Sequence, residues 1–374
     1  MGNFGKAAAA AGSLAVTAGL LAALVFNGIG SERRGTEVRV DTAFDRFRMY
    51  VSNALSDAAG NIMAMPKRYW ISRDALQAPE PNPDCFERTD DPEVLRMLIH
   101  RAEPVLEGQE LYFSPDTDLL PGTKVRCYLD DTILAITWKQ AIDHSVYTFS
   151  EVKILHPSQF RRFLAGGSFG ADEKFTTTEM AGSTNAVVAS SGDFYQFRRS
   201  GVVVYDGIVR RVHNGLVDTC YVDAQGNLGI TTAEEVMDRV QAQKYVDENR
   251  IQFSLAFGPA LVREGQVCTP AEYSVGEIND CYPRAALCQR DRLHYLLAVV
   301  NAEDGYPDTP DIHTFARRMQ QTGCPTAYAL DGGQTAVLAM GGELVNSVMY
   351  GSQRQISDII YFATAIPHSG KENS

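Results

Sequence analysis

The chain has 374 residues, 45% of them hydrophobic and 21% charged, enough for one large buried core or two smaller ones. Its formal net charge is −12 with no Lys/Arg-rich run, which excludes the basic footprint of a nucleic-acid-binding protein. None of its seven cysteines stands in a C-x-x-C pair, so zinc-ribbon and thioredoxin-type sites are excluded too.

The first predicted element is residues 7–30, AAAAAGSLAVTAGLLAALVFNGIG, inside a stretch with no charged residue between Lys6 and Glu32. A bilayer-spanning helix needs about 20 such residues, whereas the apolar core of a cleaved signal has about 7–15. Residues 1–31 are therefore expected to be a single-pass membrane anchor, with a cleaved signal peptide as the alternative. Lys6 before the run and Arg33, Arg34 and Arg39 after it would favour a cytoplasmic C-terminal part, but long domains cross largely regardless of flanking charge.

Residues 41–63 carry Phe44, Phe47, Tyr50, Val51, Leu55 and Ala58 at spacings of three and four, which predicts a helix. Residues 66–83 are proline-rich and polar and read as a linker. A second helix is expected over 91–103. Residues 111–138 have strand character broken by Pro115, Pro121-Gly122 and Asp130-Asp131, and read as a small β-rich subdomain or as the first strands of a main domain. The 41–63 helix, read as a stalk or as packed on the domain, the linker and this region together occupy 32–145, and a main domain is expected over 146–367.

In the main domain, residues 202–205 and 208–212 flank an Asp206-Gly207 turn and predict a hairpin. Residues 219–222 and 228–230 flank another turn. Thr232 with Glu235 reads as a capping box that opens a helix to about Tyr245. Residues 251–256 and 293–300 are apolar runs of strand length. Thr309 as N-cap, Pro310 at the first helical position and Gly323 past the end bracket another helix. His294 in an apolar strand and His313 on a helix face read as structural. The cluster Cys268, Cys281 and Cys288 allows one disulfide, with free buried thiols the alternative. The fold class expected is α+β: a mixed, largely antiparallel twisted sheet with packed helices, preceded by the transmembrane helix.

Residues 327–346, AYALDGGQTAVLAMGGELVN, are the most telling segment. A strand ends in Asp331-Gly332-Gly333, a second strand follows, and Gly341-Gly342 turns into a third. Adjacent glycines after a strand let backbone lie against a ligand or turn with positive φ, and place the Asp331 carboxylate beside exposed N–H groups. A plain turn with a capping Asp is the alternative.

This segment resembles the signature of the phosphodiester glycosidase family, a strand ending L-D-G-G-G-S followed by an N-G turn and V-V-N. Five further segments resemble family blocks in the same order: HPSQFRRFLAGGSFG (156–170), NAVVASSGDFYQFRRSGVVVYDG (185–207), FGPALVREGQV (257–267), YPRAAL (282–287) and RQISDIIYF (354–362). Together they cover roughly 149–367. The resemblance implies an extracytoplasmic hydrolase that cleaves a sugar from a phosphodiester-linked glycan. It names Asp331 and Asp193 as catalytic carboxylates. Arg284 and Arg354, with Gly192, Gly332, Gly333, Gln334, Thr335 and Tyr195, would bind substrate and its phosphate. No metal and no cofactor is called for; the partners expected are a glycan or sugar-phosphodiester substrate and, through residues 7–30, the membrane. Three departures fall at strand ends: Ser191 replaces an asparagine, Asn301-Ala302-Glu303 replaces D-G-R, and Gln334-Thr335 replaces Gly-Ser. They keep open a second expectation, a non-catalytic glycan-binding or envelope polysaccharide-assembly protein on the same fold.

Overall fold

Period-two alternation with both faces buried builds the central layer. A nine-stranded sheet is formed by β1 (Phe86–Thr89), β2 (Val125–Leu129), β3 (Ile133–Ile142), β4 (Ser145–Ile154), β12 (Ala260–Arg263), β13 (Gln266–Val267), β14 (Arg284–Asp291), β15 (His294–Asn301) and β16 (Thr326–Leu330), in the order β1-β2-β3-β4-β15-β14-β16-β12-β13. Strands are numbered in chain order. The computed structural model describes residues 77–213, 215–273 and 279–366. The expected anchor, the 41–63 helix and most of the linker lie outside them. Among the described residues no helix is long and apolar enough to cross a membrane.

Along β15, Leu296, Ala298 and Val300 face one way into a core with the helices, while Tyr295, Leu297 and Val299 face the other way into a second core. β3 and β14 alternate in the same manner, so the central sheet is a filled layer between two hydrophobic cores. The first core is closed by α1 (Pro92–Arg101), α2 (Glu103–Leu106) and α5 (Ile312–Gln321); α5 contributes Ile312, Phe315, Ala316 and Met319, one apolar face at helical spacing. The second is closed by two five-stranded sheets. One is β10-β9-β11-β7-β8, made of β7 (Gly201–Tyr205), β8 (Ile208–His213), β9 (Thr219–Asp223), β10 (Leu228–Thr231) and β11 (Ile251–Leu255). The other is β18-β17-β6-β19-β5, made of β5 (Phe160–Leu164), β6 (Val188–Ser191), β17 (Leu338–Met340), β18 (Glu343–Leu344) and β19 (Asp358–Phe362). α3 (Thr177–Ser183) and α4 (Arg239–Glu248) pack outside these sheets.

Every strand pair among the described residues is antiparallel, a stronger form of the expected mixed sheet. Of the two readings of residues 111–138, the second holds: β2 and β3 are strands of the central sheet, and the position 145/146 falls inside the β3–β4 hairpin, paired over ten residues. Two helix starts differ from expectation. Thr232 and Glu235 do bond, Thr232 N donating to Glu235 Oε2 at 2.7 Å, but they close only a local turn. α4 opens six residues later at Asp238, whose carboxylate accepts from Gln241 N at 2.8 Å in a competing capping box. Similarly Asp311, accepting from Thr314 N at 2.7 Å, caps α5 in place of Thr309. Both outcomes follow from a stronger carboxylate cap downstream. The seven cysteines are free; Cys288 is buried, whereas Cys268 and Cys281 are exposed.

Candidate active site

The three sheets meet at one end of β16. Ala285 on β14 stands opposite Leu330 on β16, which sets Arg284 beside Asp331. Asp331 N donates to Gly192 O at 3.4 Å and so ties the end of β16 to the end of β6. Gly258 N, beyond β11, donates to Ala329 O at 3.2 Å from the other side. The junction leaves a cleft of about 200 Å³. Its charged lining is Asp331, Arg198, Arg284 and Arg354, and its aromatic lining is Phe197, Phe257, Tyr282 and Tyr350.

Among the described residues Asp331 is the one carboxylate in this lining. Burial pushes its pKa up to about 6, while the Thr335 hydroxyl and then the Arg198 and Arg354 charges pull it back. Aromatic faces hold the guanidiniums: the Cζ of Arg198 lies 5.1 Å from the Phe257 ring, Arg354 lies 4.9 Å from Phe197, and Arg284 lies 5.9 Å from Tyr282. Arg284 is buried and donates to Asp280 O at 2.7 Å. The two glycines after Asp331 are required by packing. A side chain on Gly332 would come 2.5 Å from Pro283 O, and Gly333 has φ +65° with the Tyr282 ring where a Cβ would point.

Asp331, Arg284, Arg354, Gly332 and Gln334 thus come together as the sequence suggested. The other expected residues do not line the cleft. Asp193 is fully buried beneath it: its Oδ1 pairs with Arg162 at 2.5 Å and its Oδ2 accepts from Ala256 N at 2.6 Å. Gly192 has no side chain because the Asp358 carboxylate occupies that space, 1.9 Å from where a Cβ would be. Tyr195 is buried, its ring 5.6 Å from the Arg162 Cζ and its hydroxyl accepting from Gly170 N. Gly333 supports the turn. Thr335 donates to Gly332 O at 2.6 Å as well as countering the burial of Asp331.

Three important residues were not singled out from the sequence. Arg162 and Asp358 complete a dry cluster with Asp193; Arg162 Nη2 lies 2.9 Å from Asp358 Oδ2, and Arg162 Nη1 donates to Ser254 O. Burial, then the nearby Asp193 charge, lifts Asp358 to a pKa of about 7 against the pull of Arg162. The signal was present: Arg162 occupies an inward position of the alternating strand FRRFL, between Phe160 and Leu164. Arg198 is the third, in the loop after Asp193, and no local pattern marks it. Of the departures from the family pattern, Asn301, Glu303 and Gln334 are structurally engaged, whereas the buried Ser191 hydroxyl has no hydrogen-bond partner among the described residues. Asn301 accepts from Asn346 Nδ2 at 3.1 Å, Glu303 pairs with Lys139 at 2.7 Å, and Gln334 Nε2 donates to Ser352 O at 3.0 Å.

Residues 184–363 match the model of the phosphodiester glycosidase family. The resemblance read from the sequence holds over that stretch. Among curated proteins, the SPbeta prophage-derived uncharacterized protein YomE of Bacillus subtilis (strain 168) is 22% identical over 198 residues, 51% of this chain and 30% of that protein. The chain therefore spans less than a third of that relative's length. Among solved structures, the zebrafish N-acetylglucosamine-1-phosphodiester alpha-N-acetylglucosaminidase catalytic domain, auto-inhibited by its pro-peptide, is 16% identical with a TM-score of 0.47, over 62% of this chain and 82% of that one. A hypothetical protein from Synechocystis is 15% identical with a TM-score of 0.46, over 65% of this chain and 64% of that one.

Proposed function

We propose that the cleft hydrolyses the glycosidic bond of a sugar-1-phosphodiester, with Asp331 as the working carboxylate and Arg198, Arg284 and Arg354 as the phosphate cradle. The observation that carries this reading is the ratio of charges: among the described residues one carboxylate shares the cleft lining with three guanidiniums, in a chain whose net charge is −12. Guanidiniums stacked on aromatic rings offer fixed forks for a phosphate. Hydrolysis breaks the C1–O bond and gives the electron pair to the phosphate oxygen, which leaves as a phosphomonoester. Water bonds to C1, and its proton passes to the ionised Asp331. A phosphate leaving group needs no strong acid, so one carboxylate in the cleft suffices where ordinary glycosides call for two. Asp193 then acts from below, holding residues 254–256 through Arg162 and the Ala256 N–H. In the same reading residues 7–30 anchor the chain in a membrane with the domain outside the cytoplasm.

The test is an assay of the chain on a panel of sugar-1-phosphodiesters, with the released sugar and phosphomonoester quantified. Release by wild type and its loss in Asp331→Asn supports hydrolysis. A second reading, a glycan-binding or polysaccharide-assembly role without catalysis, is favoured by the engaged departures at Asn301, Glu303 and Gln334. Binding across the panel without release would select it.

A further inference from the structure

Tyr350 is an aromatic residue of the cleft that hydrolysis itself does not use. It sits at the tip of the turn Met349–Gly351, 79% exposed, with a left-handed backbone of φ 62°. A bulky residue in that conformation is uncommon, and a ring left in water contributes no burial to the fold. The turn is fastened to the catalytic loop: Gln334, three residues after Asp331, donates through Nε2 to Ser352 O at 3.0 Å and to Ser352 Oγ at 3.3 Å. The other cleft aromatics are occupied. Phe197 and Phe257 carry guanidiniums, and Tyr282 lies under Arg284 and against Gly333. Among the described residues Tyr350 has no ring or guanidinium partner.

Resting on the hydrolytic reading above, we propose that Tyr350 is a specificity-determining platform for the group on the far side of the phosphate. That group is then a ring with an apolar face, a hexopyranose or a nucleoside, and not an open polyol or alkyl chain. The phosphate engages the three arginines, and the ring beyond it covers Tyr350 at the mouth.

The experiment compares three phosphodiesters of one sugar, with methyl, hexopyranosyl and nucleosidyl second substituents, on the full chain and on its Tyr350→Ala and Tyr350→Phe variants. Wild type should prefer at least one ring-bearing diester over the methyl diester. In Tyr350→Ala the loss in kcat/KM on that diester should exceed the loss on the methyl diester by about fivefold to tenfold, mainly through KM, and Tyr350→Phe should restore most of it. The diester that shows the loss tells a sugar from a nucleoside. Equal kcat/KM on all three substrates in wild type, or equal losses on all three in Tyr350→Ala, would overturn the platform. If wild type cleaves none of them, the hydrolytic reading falls on its own, and Kd values for the same ligands decide the platform. A ring preference that disappears in Tyr350→Ala supports it; equal or absent binding ends it.

Discussion

The strand end at Asp331 and its two glycines were legible from the sequence, but Asp and Gly are ordinary turn residues, and it was the family resemblance that singled out the carboxylate. What was not legible is its electrostatic setting, since Arg198 arrives from a loop and Arg354 from the segment before β19. That setting makes two measurements decisive. Burial raises the Asp331 pKa from 3.8 to about 6, so the folded chain holds that proton more tightly than the unfolded chain. The associated stability is complete below about pH 4 and is lost as pH rises through about 6. Asp331→Asn cannot ionise, so its Tm relative to wild type should climb between pH 4 and pH 7; a difference independent of pH would mean the carboxyl is not burdened by burial. In activity, kcat/KM of wild type should rise with pH through about 6, because the ionised form takes the proton from water. Asp331→Asn should lose about 100-fold or more. Arg284→Lys should lose nearly as much as Arg284→Ala, about 10- to 100-fold on phosphodiesters, because a point charge does not reproduce the fork. A fully active lysine variant would remove Arg284 from the phosphate cradle.

At the scale of elements, strands were easier to read than helix starts. The Asp206-Gly207 turn announced the hairpin β7–β8, and apolar runs of strand length announced β11 and β15, whereas α4 and α5 each had two competing caps, and choosing between them depends on packing. The small sheet β6-β19-β5 hides the feature that sequence reading assigned elsewhere: Asp193 looks catalytic in SSGDFY, yet it pairs with Arg162 from β5, a strand about 30 residues earlier. The Arg162–Asp193–Asp358 cluster is fully buried and joins that sheet to β11 through Ser254 O and Ala256 N. Removing the cation strands two carboxylates without solvent. Arg162→Met should therefore destabilise by about 3–5 kcal/mol near pH 8. Asp358 already has a pKa near 7 and rises further without Arg162, so protonation relieves the variant, and the deficit should shrink on acidification towards pH 5. Urea unfolding of wild type and variant at pH 8 and pH 5 checks this. A deficit of the same size at both pH values would show that the charges are not what the cluster balances.

For the molecule as a whole, class was legible and connectivity was not. Propensity and alternation identify antiparallel strands, but the partner of β4 is β15, about 150 residues later in the chain, and no local pattern announces such a pairing. The same distance hid the role of residues 86–142, which look separate in sequence because they lie outside the stretch that resembles the family. In the structure they supply three strands of the central sheet and, with α1 and α2, much of one core: Leu95, Leu98, Val105, Leu106, Phe113, Ile136 and Trp138 pack with Phe315 and Met319. β4 is buried at all ten of its positions, which holds only while β3 covers its edge. A fragment of residues 77–366 should accordingly fold with a cooperative melt. Its first core residue, Ala78, is bonded to Thr184 and Asn185 by main chain and side chain. A fragment of residues 146–366 keeps every segment that resembles the family, but bares the β4 edge and one face of the central sheet, and should aggregate or remain unfolded. Circular dichroism melts and size-exclusion profiles of the two fragments decide the matter. A monomeric 146–366 fragment with a cooperative transition would show that the family-like part folds without β1 to β3, and that the nine-stranded sheet is two units placed side by side.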